Sequence, residues 1–494
     1  MAHKCENSLF CKIFENYMGL QAAVFKCLRV FGQALNNSLK SISSSAQLSK
    51  SQKVTLGVFI MGIVVTKAIN WAAFERRSLG KFKTTRLCWM FYKAEIAWHS
   101  LLQASIRNIL LSYGIKAGTL AADDTGKKRT KRTSKIDGAH KVKDKSTGGY
   151  FNGQELVFMV LVTEIATFPV GFRFYVPDPA LSAWRKKDKS LRKQGVQNKE
   201  RPARPEPDHV RYPTMQSLTL DMLQEFVDAF PEIAIRGVLA DALYGTGDFM
   251  DKAAAITGGA QVISQLRSNQ KVSNRGHSEA ALKTYFARQK GVQAQLMIRG
   301  GKEEQVTIQA ARLYVKAHGK RRFVIALKYE GEEDYRYLVA SDMSWRHTDI
   351  VRLYTLRWLV EVFIQDWKAH CGWNRLSKQQ GADGSQRGVI LSLLCEHMLL
   401  LHPEQFVLLK NKQPGMPVGC LIERLNAEAL LNTVKAVVES DDPDNELQAL
   451  TLALEDTLPK RESSRHMAGR DLGRQEATDT LKAHAQKFEL LDAA

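Results

Sequence analysis

Asp124, Asp241 and Glu361 are the acids of this sequence that stand where chemistry could use them. Asp124 closes the apolar run in "GTLAADDTG", Asp241 closes "IRGVLADALYG", and Glu361 lies inside "YTLRWLVEVFIQDWK". The first two sit at expected strand ends and the third on an expected helix, so only a fold could gather them. A cage of carboxylate oxygens suits hard divalent cations such as Mg2+ and Mn2+. Two such ions about 4 Å apart activate a nucleophile and stabilise the leaving oxygen of a phosphodiester.

The surroundings of Glu361 sharpen this. At about 100° per residue, Tyr354, Arg357, Glu361 and Lys368 fall within an arc of about 60°. Leu356, Leu359, Val360, Phe363 and Trp367 gather on the opposite side, which makes the stretch an amphipathic helix. Taken alone, the stripe is also what a solvated face looks like, with an Arg357–Glu361 pair worth a few tenths of a kcal/mol. At the first acid there are two neighbours, Asp123 and Asp124. Successive strand side chains point to opposite faces, so both are not expected to line one site. The apolar pattern of "TLAA" does not choose between them.

The elements that must position these acids follow from the texture of the chain. Residues 1–115 read as a helical N-terminal region suited to binding DNA, with a serine-rich connector, "SLKSISSSAQLSKSQ". Residues 116–268 read as the first part of a mixed α/β core. Its strands are "ELVFMVLVTEI", "FPVGFRFYVPD" and "AQVISQLRS", and its helices are "TMQSLTLDMLQEFVDAF" and "GDFMDKAAAITG". Residues 269–345 are β-rich and read as an insertion. Residues 346–400 return to the core with the Glu361 helix, and 401–494 are helical, a candidate oligomerisation region whose charged last thirty or so residues read as loosely ordered.

With 494 residues the chain is too long for one core. A formal net charge of +20 and a pI near 9.5 point to a polyanion, nucleic acid or an anionic membrane surface. "LGVFIMGIVV" is too short to span a bilayer and reads as a buried helix. No secretory signal is legible at the start. The seven cysteines, at 5, 11, 27, 88, 371, 395 and 420, show no zinc-site spacing and suit a reducing cytoplasm. Cys395 and His397 read as core of an apolar helix.

"YTLRWLVEVFIQDWK" matches Y-x2-R-x3-E-x6-K and so resembles the signature of IS4-family DDE transposases. "ADDTG" resembles that family's first-aspartate strand and "VLADALYG" its second; the β insertion before the glutamate helix also fits. The resemblance covers roughly Gly118 to Lys378. It implies a ribonuclease-H-like core in which Asp124, Asp241 and Glu361 hold two Mg2+ or Mn2+ ions. It selects Asp124 over Asp123, because the family's acid directly precedes Ser or Thr and Thr125 follows Asp124. It implies metal-dependent strand cleavage at transposon ends and transfer into target DNA. Arg357 and Lys368 would hold phosphates, and Tyr354 would donate a hydrogen bond to one. It also implies double-stranded DNA as partner, at least a dimer in the DNA complex, and a bacterial, nucleoid-associated location. Trp345 is the expected residue to stack on an extruded base.

Two basic runs complete the reading. "GKKRTKRTSK" follows the first acid directly, and Lys127, Lys128 and Arg129 are expected to contact phosphates. "WRKKDKSLRKQGVQNKERPAR" interrupts the α/β region and reads either as a solvated loop or as a sequence-independent contact to the DNA backbone. Two rivals stand beside transposition. One is a ribonuclease-H-like nuclease that does not join strands; the other is a non-catalytic DNA-binding protein of domesticated origin.

Overall fold

The computed structural model describes residues 22–457 except 44–45, 79, 130–134, 145–146, 275–277, 298–302 and 376–378, together with 479–480, 483–484 and 486. The start of the expected helical N-terminal region, residues 1–21, the basic residues 130–134, and Lys378 therefore lie outside the described residues, as does most of the charged C-terminal stretch.

The spine is β1 (Ala117–Lys128), buried through its middle. On one side it pairs antiparallel with β3 (Tyr150–Val162), which pairs antiparallel with β2 (His140–Lys143) and β4 (Thr167–Tyr175). On the other side it pairs parallel with β5 (Ala234–Ala240), and β5 with β6 (Gln261–Leu266). An antiparallel meander flanked by two strands parallel to its first is a ribonuclease-H-like core. The apolar runs read as strands are these strands, because both faces of the sheet are covered.

The β-rich stretch departs from the expected insertion in one respect: it continues the core sheet. β12 (Arg336–Ala340) pairs antiparallel with β6, then β11 (Lys320–Tyr329), β10 (Glu303–Val315), β7 (Lys271–Ser273) and β8 (Ala280–Ala281) follow outward. β9 (Val292–Met297) pairs with β10. The cause is chemical. A core ending at β6 would leave an exposed row of backbone donors and acceptors, and the apolar β12 covers it.

Among the described residues, five helices precede the sheet: α1 (Ala22–Ile42), α2 (Lys50–Thr66), α3 (Trp71–Arg77), α4 (Thr84–Tyr92) and α5 (Trp98–Tyr113). The sequence reads as two long helices where α2/α3 and α4/α5 stand. The first pair breaks where Lys67 turns left-handed (φ 51°) and Asn70 caps the next helix through its side chain. α2 carries the "LGVFIMGIVV" run, most of it buried as expected. Among the described residues no single helix is long and apolar enough to cross a membrane. α6 (Pro179–Lys193), α7 (Met215–Ala229), α8 (Gly247–Ile256) and α9 (Leu282–Ala287) intervene between strands. After β12 come α10 (His347–Thr355), α11 (Trp358–His370), α12 (Gly381–Leu400), α13 (Pro403–Lys410), α14 (Val418–Val438) and α15 (Pro443–Thr457).

α12 ties the N-terminal helices to the sheet. His397 is fully buried, with one ring nitrogen against the Ser105 hydroxyl at 2.8 Å and the other against the Pro169 carbonyl at 3.0 Å. Burial pulls it down to about 4, so the ring is neutral and Nε2 donates to Pro169. The N-terminal helices, the core and the β extension form one compact unit ending at Val438, and a second unit begins at Glu439, later than the expected change at Leu400.

On α12, Glu396 accepts from the Cys371 thiol at 2.9 Å. Burial pushes its carboxyl up to about 7 from the ordinary 4.5. Ionising it therefore costs the fold. Its contribution is full below about pH 4.5 and is lost as pH rises through about 7, a matter of a few kcal/mol. Glu396→Gln is expected to remove that dependence. Thermal midpoints of wild type and variant should diverge in favour of the variant as pH rises from about 5 to about 8. Parallel curves would mean that the carboxyl is ionised without cost.

Candidate active site

β1 delivers its residues to alternate faces. Asp123 pairs across the ladder with Phe158, and Phe158 packs edge-on against Phe363 and Trp367 of α11. Asp123 is therefore on the face covered by α11, and Asp124, opposite Val157, starts on the other. Even so, one oxygen each from Asp123, Asp124 and Asp241 lies within 4.8 Å of the others. The expectation that both neighbours could not line one site is corrected by a local hydrogen bond. The Asp124 N–H donates to the Asp123 carboxylate at 2.8 Å, which folds that carboxylate along the strand toward the next residue.

Asp241 stands just past the end of β5 and caps a short 3-10 turn, accepting from the Leu243 N–H at 2.8 Å. Its loop is held from three directions. Ser264 of β6 donates to the Asp241 carbonyl at 2.6 Å, and Gln216 of α7 donates to the Leu243 carbonyl at 2.6 Å. His318, in the turn after β10, donates through Nε2 to the Gly245 carbonyl at 3.0 Å. Arg322 faces the other ring nitrogen at 3.3 Å, which fixes that tautomer. Gly245 and Gly247 admit these neighbours: a Cβ at Gly245 would meet the Gln265 carbonyl at 2.1 Å. Sequence reading missed Gln216, Ser264 and His318, because lone polar residues far away in the chain carry no periodic or motif signal.

The expected single helix of Tyr354–Lys368 is two. α10 ends at Thr355 and α11 starts at Trp358, and across Leu356 and Arg357 the backbone bonds tighten to i→i−3. The stripe survives this break and faces the sheet edge. Arg357 donates to Asp123 at 3.0 Å and to Glu361 at 2.6 Å, so one guanidinium joins the first-strand acid to the helical one. Glu361 is about one-third exposed (36%) and lies beside the three aspartates, outside their cluster. Burial pushes the Asp123 carboxyl up to about 6, with Arg357 opposing that rise. Lys368 donates to the Gly126 carbonyl at 3.0 Å.

Several expected DNA contacts occupy other places. Tyr354 is buried beneath Arg357; its hydroxyl donates to the Ala240 carbonyl at 3.4 Å, and burial pushes it up to about 12. It thus braces the strand end before Asp241 instead of meeting solvent. Lys127 and Arg129 share the inward parity of Asp123. Both lie over the Trp373 ring, Lys127 donating to the Trp373 carbonyl and Arg129 to Gln154. Burial beside Arg129 and Lys368 pulls Lys127 down to about 7. Only Lys128 of the three is exposed. Trp345 is partly buried against the core, whereas Trp358, next to Arg357, is 43% exposed. Trp358 lines a cleft of about 350 Å3 with Arg357, Tyr354, Tyr329 and Arg336.

This parity makes a prediction. Lys127→Met should leave the salt dependence of DNA binding unchanged. Lys128→Ala should lower the slope of log K against log salt by about 0.9, one phosphate contact. An equal drop for both would place the Lys127 ammonium in solvent.

The donor set fits a divalent cation: the clustered atoms are carboxylate oxygens of Asp123, Asp124 and Asp241, all within 4.8 Å of one another. Residues 212–395, which include Asp241 and Glu361, match the protein family described as "Transposase DDE domain". That stretch is similar to transposase DDE domains. Asp123 and Asp124 precede the matched stretch and join it only through the β1–β5 pairing. No curated protein matches this chain. Among solved structures, a piggyBac transposase synaptic complex with hairpin DNA is similar at 10% identity, covering 95% of this chain and 90% of that one, with a TM-score of 0.43.

Proposed function

We propose that this transposase cleaves DNA at the ends of a mobile element and transfers the freed strands into target DNA, by cut and paste. The observation that carries the reading is the meeting of Asp123, Asp124 and Asp241 at the mouth of β1 and β5, with Glu361 linked to them through Arg357. Asp124, Asp241 and Glu361 would hold two Mg2+ or Mn2+ ions, with Asp123 alongside. When bound, such ions supply activation of the attacking oxygen and stabilisation of the leaving one.

The chain's own groups supply the rest. Arg357 offers a planar fork suited to a bidentate grip on a phosphate, and Lys368 a point charge. Asp123 keeps the Arg357 fork at the sheet edge, and Tyr354 supports it from below. The Y-x2-R-x3-E-x6-K spacing supports placement in the IS4 family. Pairing two element ends calls for at least a dimer on DNA, and the bacterial nucleoid is the location that goes with this activity.

The test is a labelled duplex carrying the element's end, incubated with the full chain, Mg2+ or Mn2+, and a target plasmid. Cleaved and joined products are expected. Cleavage without joining would favour a nuclease, and binding without either would favour a non-catalytic DNA-binding protein.

A further inference from the structure

The long basic run between β4 and α7 is built differently from a solvated loop. Asp178 caps α6 by accepting from the Ala180 and Leu181 N–H groups, and its second oxygen accepts from the returning Asp208 N–H at 3.2 Å. Asp188, in mid-helix and only 7% exposed, accepts from Arg201 on the returning segment at 2.7 Å and from Arg192 at 2.9 Å. Trp184 Nε1 donates to the Pro202 carbonyl at 2.8 Å. The segment 178–208 is thus an arm closed on itself. Leu181, Trp184, Asp188 and Leu191 form its inner face at helical spacing.

At about 100° per residue, Lys186, Lys189 and Lys193 fall within an arc of about 60° opposite that inner face. All three are exposed, and none makes an ion pair among the described residues. The roots of the arm lie close to the acid edge. Tyr175, which ends β4, pairs with Glu155, and Glu155 pairs with Gly126, two residues past Asp124. That places one root two strands away, about 10 Å at sheet spacing. The other root leads into α7, whose Gln216 bonds the loop of Asp241.

We propose that this arm is a preformed platform for the phosphodiester backbone of duplex DNA. The stripe of Lys186, Lys189 and Lys193 would grip the duplex without reading sequence, beside the point of cleavage. The inference rests on the transposase reading above. Charge selects the occupant: a cationic stripe at the edge of a phosphodiester-processing site complements a polyanion.

The experiment uses the full chain without metal and a labelled duplex of arbitrary sequence, with anisotropy read across a range of KCl. K186Q/K189Q/K193Q should lower the slope of log K against log salt by about 2.7, three contacts at about 0.9 each. An unchanged slope overturns the proposal. Asp188→Asn removes one negative charge, which makes the arm more cationic, yet weakens the strut, since a neutral amide oxygen accepts less strongly from Arg201 and Arg192. Affinity should fall several-fold, whereas a merely cationic stretch would bind as well or better, and that result too overturns the platform. The lysine variant changes only surface residues, so it decides the matter if Asp188→Asn does not fold. Failure of the wild type to bind any duplex would sink the transposase reading itself, separately from the arm. Binding of phosphatidylglycerol vesicles in place of DNA would replace the partner.

Discussion

Glu361→Gln is expected to abolish metal-dependent strand cleavage while leaving DNA binding nearly intact. Gln keeps the length of the side chain and can still accept from Arg357, so the Arg357–Asp123 contact and the α10–α11 junction should survive. What is lost is one negative charge beside the aspartate cluster. Metal-borne stabilisation of developing charge is worth several kcal/mol, and at about 1.36 kcal/mol per decade that is on the order of a thousandfold in rate. Affinity for the end, measured without metal, should stay within a few-fold or rise slightly, since a carboxylate near phosphate is gone. Cleavage that persists within a few-fold of wild type would remove Glu361 from the site.

The second large effect separates the two neighbouring aspartates. Asp124→Asn should lose cleavage to a similar degree, on the order of a thousandfold, if its carboxylate is the first-strand ligand. Asp123→Asn should lose less, roughly ten- to a hundredfold, the range of groups that act by orienting others. Asn can still accept from Arg357 and from the Asp124 N–H, so the fork is loosened more than lost. Single-turnover cleavage against Mn2+ concentration distinguishes the roles. Asp124→Asn should shift the metal dependence, and Asp123→Asn should chiefly shift the DNA concentration needed. The reverse ranking would make Asp123 the ligand, a role compatible with its place on the α11 face.

The place of Asp241 directly after a buried strand and the stripe around Glu361 were legible because they are local patterns, whereas Asp124, expected at a strand end, lies within β1, which runs on to Lys128. The core strands were legible for the same reason, down to Asp241 directly following β5. What escaped was whatever depends on parity or on distant partners. From the sequence, Lys127, Lys128 and Arg129 are one basic run; alternation along β1 buries the first and third over Trp373 and exposes only the second. Tyr354 and Glu361 share an arc on an ideal helix, but the tightened turn at Leu356 and Arg357 sets Tyr354 beneath the guanidinium. The charge run after β4 has the composition of a loop. Its helix folds back against the returning chain through Asp188 and Arg201, a pairing that composition does not reveal.

The junction of β6 with β12 also bears on how the molecule opens. Since Val339 and Ser264 sit side by side in one continuous ladder, the β extension is not a flap on a hinge. It should exchange its amide hydrogens with the core, as a single cooperative unit, with β12 protected as strongly as β5. Closure around a duplex would then have to come from elements outside that ladder, such as the arm. Changes of length at the far edge, around β7 and β8, could alter reach across DNA over evolutionary time. The strands framing Asp241 would be insulated from them.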